Sequence, residues 1–339
     1  MTNLSKIKII VGLFYLFSSF LLFAQEQKKP VLRLISRKSF KEPKPSNITK
    51  ISSGNGKFRG IMVYFKGPDL ATVTEFFLRD SKGNILIEKK NPGATSFYIA
   101  NDGSFITHTY YYPHGPSYFS FYDPMGNLIK SSDSLRVSES SFLNDIDYLL
   151  VKTSRRDNDL FIFDKKGNII HNYNPCRDFI ASPDFKNLII SYEKELRFYR
   201  NGILVGMASV ESPPRNEGMV LSTDGEYLAY LTRNKLTLFE IAMAKKLWQV
   251  DVMENFRFTS IDLSMSAERV VVGLDFDAET PEKHSYGYIY VFDNEGEKLV
   301  EQRVEYKKWN IFIPGVDISD DEKFLSVKTY NEIYKYELK

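Results

Sequence analysis

The chain has 339 residues, 43% hydrophobic and 14% aromatic, a composition that can bury a large core. Its 45 Lys and Arg stand against 43 Asp and Glu, a formal charge of +2, so it lacks the basic surplus that marks nucleic-acid-binding chains. Cys176 is the only cysteine, which excludes an internal disulfide and leaves stability to the core.

The chain starts with a basic stretch holding Lys6 and Lys8, followed by an apolar run from Ile9 to Phe23, then Ala24 and the polar Gln25-Glu26-Gln27-Lys28-Lys29. That order describes a secretory signal peptide covering residues 1–24. The alternative is an uncleaved anchor, for which the run is short, because a membrane span needs about 20 residues. Removing the segment brings the formal charge to zero, since it carries two lysines and no acid. An exported chain without disulfides fits a bacterial periplasm or exterior. Cys176 lies too far from the junction to carry the lipid of a lipoprotein. Residues 25–47 read as a strand, Val31 to Ile35, and a linker through Lys41-Glu-Pro-Lys-Pro45.

From residue 48 to 339 a short apolar strand recurs, ending in an aromatic residue and then an acid or its stand-in. The copies end at Asp80, Asp123, Asp164, Arg200, Glu240, Asp293 and Glu337, with Arg79 the one departure from the aromatic. Their spacing, roughly 36 to 53 residues, is that of propellers or solenoids. Apolar residues four and two positions before the acid give the period-two pattern of a strand. Tight turns with Gly83, Gly126, Gly167 and Gly296 follow, and an apolar strand comes after each. These aspartates lack the further oxygen ligands of a calcium loop and read as turn formers. Upstream of each copy lies another hairpin, as at Asn101-Asp102-Gly103 and Thr223-Asp224-Gly225. Four antiparallel strands, A to D, repeated seven times predict an all-β, seven-bladed β-propeller. The last unit stops after its third strand, so the Val31–Ile35 strand is expected to complete it and close the ring.

The turns Asn101-Asp-Gly-Ser-Phe105, Ser182-Pro-Asp-Phe-Lys-Asn-Leu188 and Ser222-Thr-Asp-Gly-Glu-Tyr-Leu228 resemble those of TolB-type and WD-repeat-like propellers. The pairs Tyr122-Asp123, Phe163-Asp164 and Phe292-Asp293 are similar to the Trp-Asp ending of WD repeats. The resemblance spans nearly all of the chain after the signal segment and implies the fold without an activity. The Gly-His pair of true WD repeats is missing.

Binding candidates come from the irregular B-to-C and D-to-A connections, expected on one face. Thr107 to Ser117 contains His108, Tyr110, Tyr111, Tyr112 and His114, which read as an extension of buried strands or, alternatively, as an aromatic-rich recognition loop. The acidic loop from Asp275 holds Asp277 and Glu279, and the connection beyond Gln302 holds Lys307, Lys308 and Trp309. Asp178, Asp262 and Asp317 fall at expected starts of inner strands; interblade hydrogen bonding and a metal site at the channel mouth are the two readings. The resulting expectation is an exported, non-catalytic propeller that binds a protein, peptide or glycan through its long-loop face. It would act as a monomer or within a cell-envelope complex, with no cofactor and with membrane contact only through an uncleaved signal segment. The alternative is a propeller enzyme, either a metal-dependent hydrolase or a quinone-dependent dehydrogenase.

Overall fold

The structure is a computed structural model that describes residues 32–39, 48–66, 71–90, 96–110, 117–143, 147–153, 158–211, 218–232, 235–252, 256–276, 286–305, 315–328 and 332–338. The expected signal segment lies outside them. Among the described residues no helix is long and apolar enough to cross a membrane.

Seven four-stranded antiparallel sheets follow one another along the chain. Blade 1 contains β2 (Ile48–Ser52), β3 (Phe58–Lys66), β4 (Ala71–Asp80) and β5 (Ile85–Lys90). Blade 2 contains β6 (Ser96–Ile99), β7 (Phe105–Tyr110), β8 (Ser117–Tyr122) and β9 (Leu128–Ser131). Blade 3 contains β10 (Val137–Leu143), β11 (Tyr148–Thr153), β12 (Leu160–Phe163) and β13 (Ile169–Tyr173). Blade 4 contains β14 (Asp178–Ala181), β15 (Asn187–Tyr192), β16 (Glu195–Arg200) and β17 (Ile203–Ser209). Blade 5 contains β18 (Met219–Leu221), β19 (Tyr227–Leu231), β20 (Lys235–Glu240) and β21 (Lys245–Asp251). Blade 6 contains β22 (Phe256–Leu263), β23 (Arg269–Phe276), β24 (Tyr286–Asp293) and β25 (Lys298–Glu305). Blade 7 joins β26 (Gly315–Ile318), β27 (Phe324–Lys328) and β28 (Glu332–Leu338) to β1 (Leu32–Ser39). Strand β1 pairs antiparallel with β28, Leu32 opposite Leu338 and Ser39 opposite Glu332, so the chain's first described strand supplies the missing fourth one.

The turns explain why the repeat is punctuated as it is. Ser182, Ser222 and Ser319 each donate from Oγ to the aspartate two residues on, at 2.6, 2.6 and 2.7 Å. The same hydroxyls accept the backbone N–H five residues on, which closes the A-to-B hairpin. In the C-to-D turns Asp80, Asp123 and Asp164 accept both the backbone and side-chain N–H of Asn84, Asn127 and Asn168. Gly167 adopts a φ of +81°, and its missing side chain leaves room for Phe121 of the preceding blade, which a Cβ would meet at 2.7 Å.

Stacking of the blades builds the core. Among the described residues six apolar clusters each bridge two consecutive blades, from blades 1 and 2 through blades 6 and 7. In blades 1 and 2, Phe76 stacks on Phe97 with ring centroids 4.2 Å apart. Among the described residues no such cluster joins blade 7 to blade 1.

Candidate functional site

Seen from its hydrogen bonds, the repeated acid is a building element. Asp80 and Asp123 have carboxyls held below the usual range, first by the side-chain hydrogen bonds from Asn84 and Asn127 and then by turn amides. They are turn formers, as the spacing predicted.

The aromatic loop is shorter than the sequence suggested. Thr107 and His108 lie inside β7, and Tyr110 is its last residue, opposite Ser117. His108 stacks on Phe119 at 4.4 Å and approaches Ser96 Oγ at 3.4 Å. Burial pushes its imidazole down to about 4, so it is neutral over the physiological range. Tyr111, Tyr112 and His114 lie outside the described residues, as do Asp277, Glu279, Lys307, Lys308 and Trp309. Asp275 belongs to β23, where its backbone lies in register with Arg257 on one side and Gly287 on the other.

The three inner-strand aspartates do not sit at equivalent heights. Asp178 opens β14, four residues before Ser182, whereas Asp262 and Asp317 come two residues before Ser264 and Ser319, near the ends of β22 and β26. At about 3.3 Å per residue, the offset places Asp178 roughly 7 Å farther from the turns. The expectation that all three start inner strands is therefore corrected. Each carboxylate also has its own partner. Asp178 accepts from Lys152 of blade 3 at 2.7 Å, Asp262 accepts from Ile318 N of blade 7 at 2.8 Å, and Asp317 pairs with Lys328 at 2.9 Å. Among the described residues no group of three His, Cys, Asp or Glu is placed to hold a metal ion. Cys176 is buried and its thiol is pushed up to about 12, chiefly by that burial, which leaves it unreactive.

A different surface emerges at the outer rim. In blades 1 to 6 the pairing of the third and fourth strands shifts by one residue just at the recurrent aromatic position. The extra residues, Leu86, Ile129, Ile170, Val205, Leu247 and Leu299, are all apolar. A bulge of this kind breaks the period of two and turns consecutive side chains outward. Blade 4 carries it furthest. On β17 Ile203, Leu204, Val205 and Met207 are 70%, 45%, 38% and 57% exposed, and no charge interrupts the strand. Gly206, between them, is covered by the neighbouring turn: a Cβ there would meet Ala244 at 2.5 Å, and adjacent Met243 is exposed. The signal for this surface was the apolar doublet after each turn.

No family model matches the chain, and no curated protein matches it in sequence. Its fold is similar to that of the C-terminal WD40 domain of Sif2, with a TM-score of 0.54 and 11% identity over 92% of this chain and 91% of that one. It is also similar to Kluyveromyces lactis Hsv2, with a TM-score of 0.51 and 10% identity over 84% and 90%. A eukaryotic initiation factor gives a TM-score of 0.54 and 14% identity over 77% and 79%. The seven sheets and these similarities define the class of the protein, a WD-repeat-like seven-bladed β-propeller.

Proposed function

We propose that this chain is an exported, non-catalytic propeller scaffold whose protein partner adds an extended strand to the free edge of β17. The observation that carries the reading is the four exposed apolar side chains of β17. That strand is outermost in its sheet and, among the described residues, hydrogen-bonded on one side only. Edge strands are ordinarily blunted by charge, as β25 is here by Lys298, Glu301 and Arg303. An unpaired row of N–H and C=O groups fits a polypeptide strand better than a glycan, and alternate apolar side chains set its register. The described carboxylates that form ion pairs and turns support a scaffold over an enzyme. Export is read from the Met1–Lys29 pattern, and N-terminal sequencing of periplasmic material is expected to start at Gln25.

Capture from an envelope extract tests the binding reading. The double variant Leu204→Lys, Met207→Lys should lose a partner that the parent protein retains, with its melting temperature nearly unchanged. If replacing Tyr110, Tyr111 and Tyr112 by alanine removes the partner and the β17 variant does not, binding belongs to the long-loop face instead.

A further inference from the structure

Blade 1 has a face that no apolar cluster covers among the described residues. Residues directly opposite one another in an antiparallel sheet share a face, and the register sets Lys50 against Ile61, Ser52 against Arg59, and Arg59 against Arg79. Arg79 holds the position that is Tyr122, Phe163, Tyr199, Phe239, Phe292 and Tyr336 in the other blades. Where those aromatics stand against the preceding blade, as Phe163 does against Phe121, blade 1 has two arginines face to face. They border a cavity of about 410 Å³, together with Lys50, Lys82, Ile51 and Ile61.

Half-buried Arg79 lies opposite Arg59 in the pairing of β3 with β4, a like-charge contact that an anion would relieve. Like charges opposite one another in a sheet destabilise it. Elsewhere in this protein cations meet acids, as in Lys152–Asp178, Lys165–Asp102 and Lys186–Glu226. Among the described residues, none of Lys50, Arg59, Arg79 and Lys82 has an acid partner. Asp80, the carboxylate lining the cavity, spends both oxygens on Asn84. Arg79 donates from Nη1 to Gly83 O at 3.0 Å, while its Nε is buried without a hydrogen-bond partner.

We propose that this cavity binds a small oxyanion ligand carrying at least two carboxylate or phosphate groups. Guanidinium forks grip such groups through paired N–H donors, and the volume lies in the range of small-molecule clefts, about 300 to 1,000 Å³. Ile61 offers an apolar contact to the ligand's carbon or sugar frame.

Titration calorimetry and thermal melts of the purified protein with citrate, and separately with pyrophosphate, test the site. At low salt at least one of the two should bind and raise the melting temperature, and the one preferred assigns carboxylate or phosphate chemistry. Added salt should weaken binding. Arg59→Gln and Arg79→Gln should each weaken it at least tenfold, while Lys130→Gln on β9 leaves it unchanged. Arg79→Tyr, which restores the repeat's aromatic, should raise the melting temperature of the free protein and abolish the ligand-induced shift. If Arg79→Gln fails to fold, the exposed Arg59→Gln carries the test. Absence of binding by both anions, or equal binding by the parent and Arg59→Gln, would overturn the proposal.

Discussion

Lys152 on β11 donates to Asp178 on β14 at 2.7 Å, and the same ammonium lies 2.9 Å from Glu139. Two blades are thereby tied across their interface by an ion pair that is largely shielded from water. Burial works against the Lys152 charge, but the hydrogen bonds and charges of Asp178 and Glu139 outweigh it and raise its pKa. Asp178→Ala should cost about 2 kcal/mol, the scale of a hydrogen bond to a charged group. The raised pKa adds stability that is complete below the ordinary lysine value of about 10.5 and is lost as pH rises through the folded value. Urea midpoints between pH 7 and 11 check both statements. A variant as stable as the parent would show the ion pair to be dispensable.

His108 gives an opposite dependence at acid pH. Its imidazole, lowered by burial to about 4, leaves the folded chain unprotonated where the unfolded chain takes up a proton. Stability linked to His108 is therefore full above about 6.5 and falls as pH drops from there towards 4. His108→Phe keeps the stack on Phe119 and should flatten this part of the acid limb. Melting temperatures of both proteins from pH 7 to pH 4.5 read the difference, and parallel curves would count against it.

Asp262 is a carboxylate held at some cost. Burial raises its pKa, the amides of Ile318 and Leu263 oppose the rise, and the charges of Asp317 and Asp320 add to it. Asn at this position keeps an acceptor for Ile318 N and removes the charge. Asp262→Asn should match or exceed the parent's stability at pH 7. The advantage should shrink as pH falls through the raised pKa and the parent's carboxyl becomes neutral. A clear loss at pH 7 would indicate that the negative charge itself is needed.

Turn geometry offers a stabilising change. Glu322 closes its hairpin by donating to Ser319 O at 2.8 Å with a φ of +59°, in the position that Gly225 and Gly103 fill in blades 5 and 2. A left-handed backbone costs a non-glycine residue roughly 1 kcal/mol or more. Glu322→Gly should recover about that amount, visible as a raised denaturation midpoint.

Much of the fold was legible because its determinants are local. Phe161 to Asp164 and Gly167 state a strand and a turn within seven residues, and seven such statements give the blade count. What escaped was set by pairing. The rim surface depends on a bulge opposite Tyr199 that turns Val205 outward, and apolar letters alone read as core. The inner-strand aspartates were misplaced because Asp178 lies four residues before its turn serine and Asp262 and Asp317 only two before theirs. The Arg79 departure was visible in the sequence, but its meaning required Arg59 to appear opposite it.

Amide hydrogen exchange of the protein with and without its captured partner reports on a partner strand at β17. Peptides covering Ile203–Ser209 should exchange more slowly in the complex, with Lys298–Glu305 of β25 unchanged. Protection confined to the connection around Thr107–Ser117, with β17 exchanging as in the free protein, would contradict it.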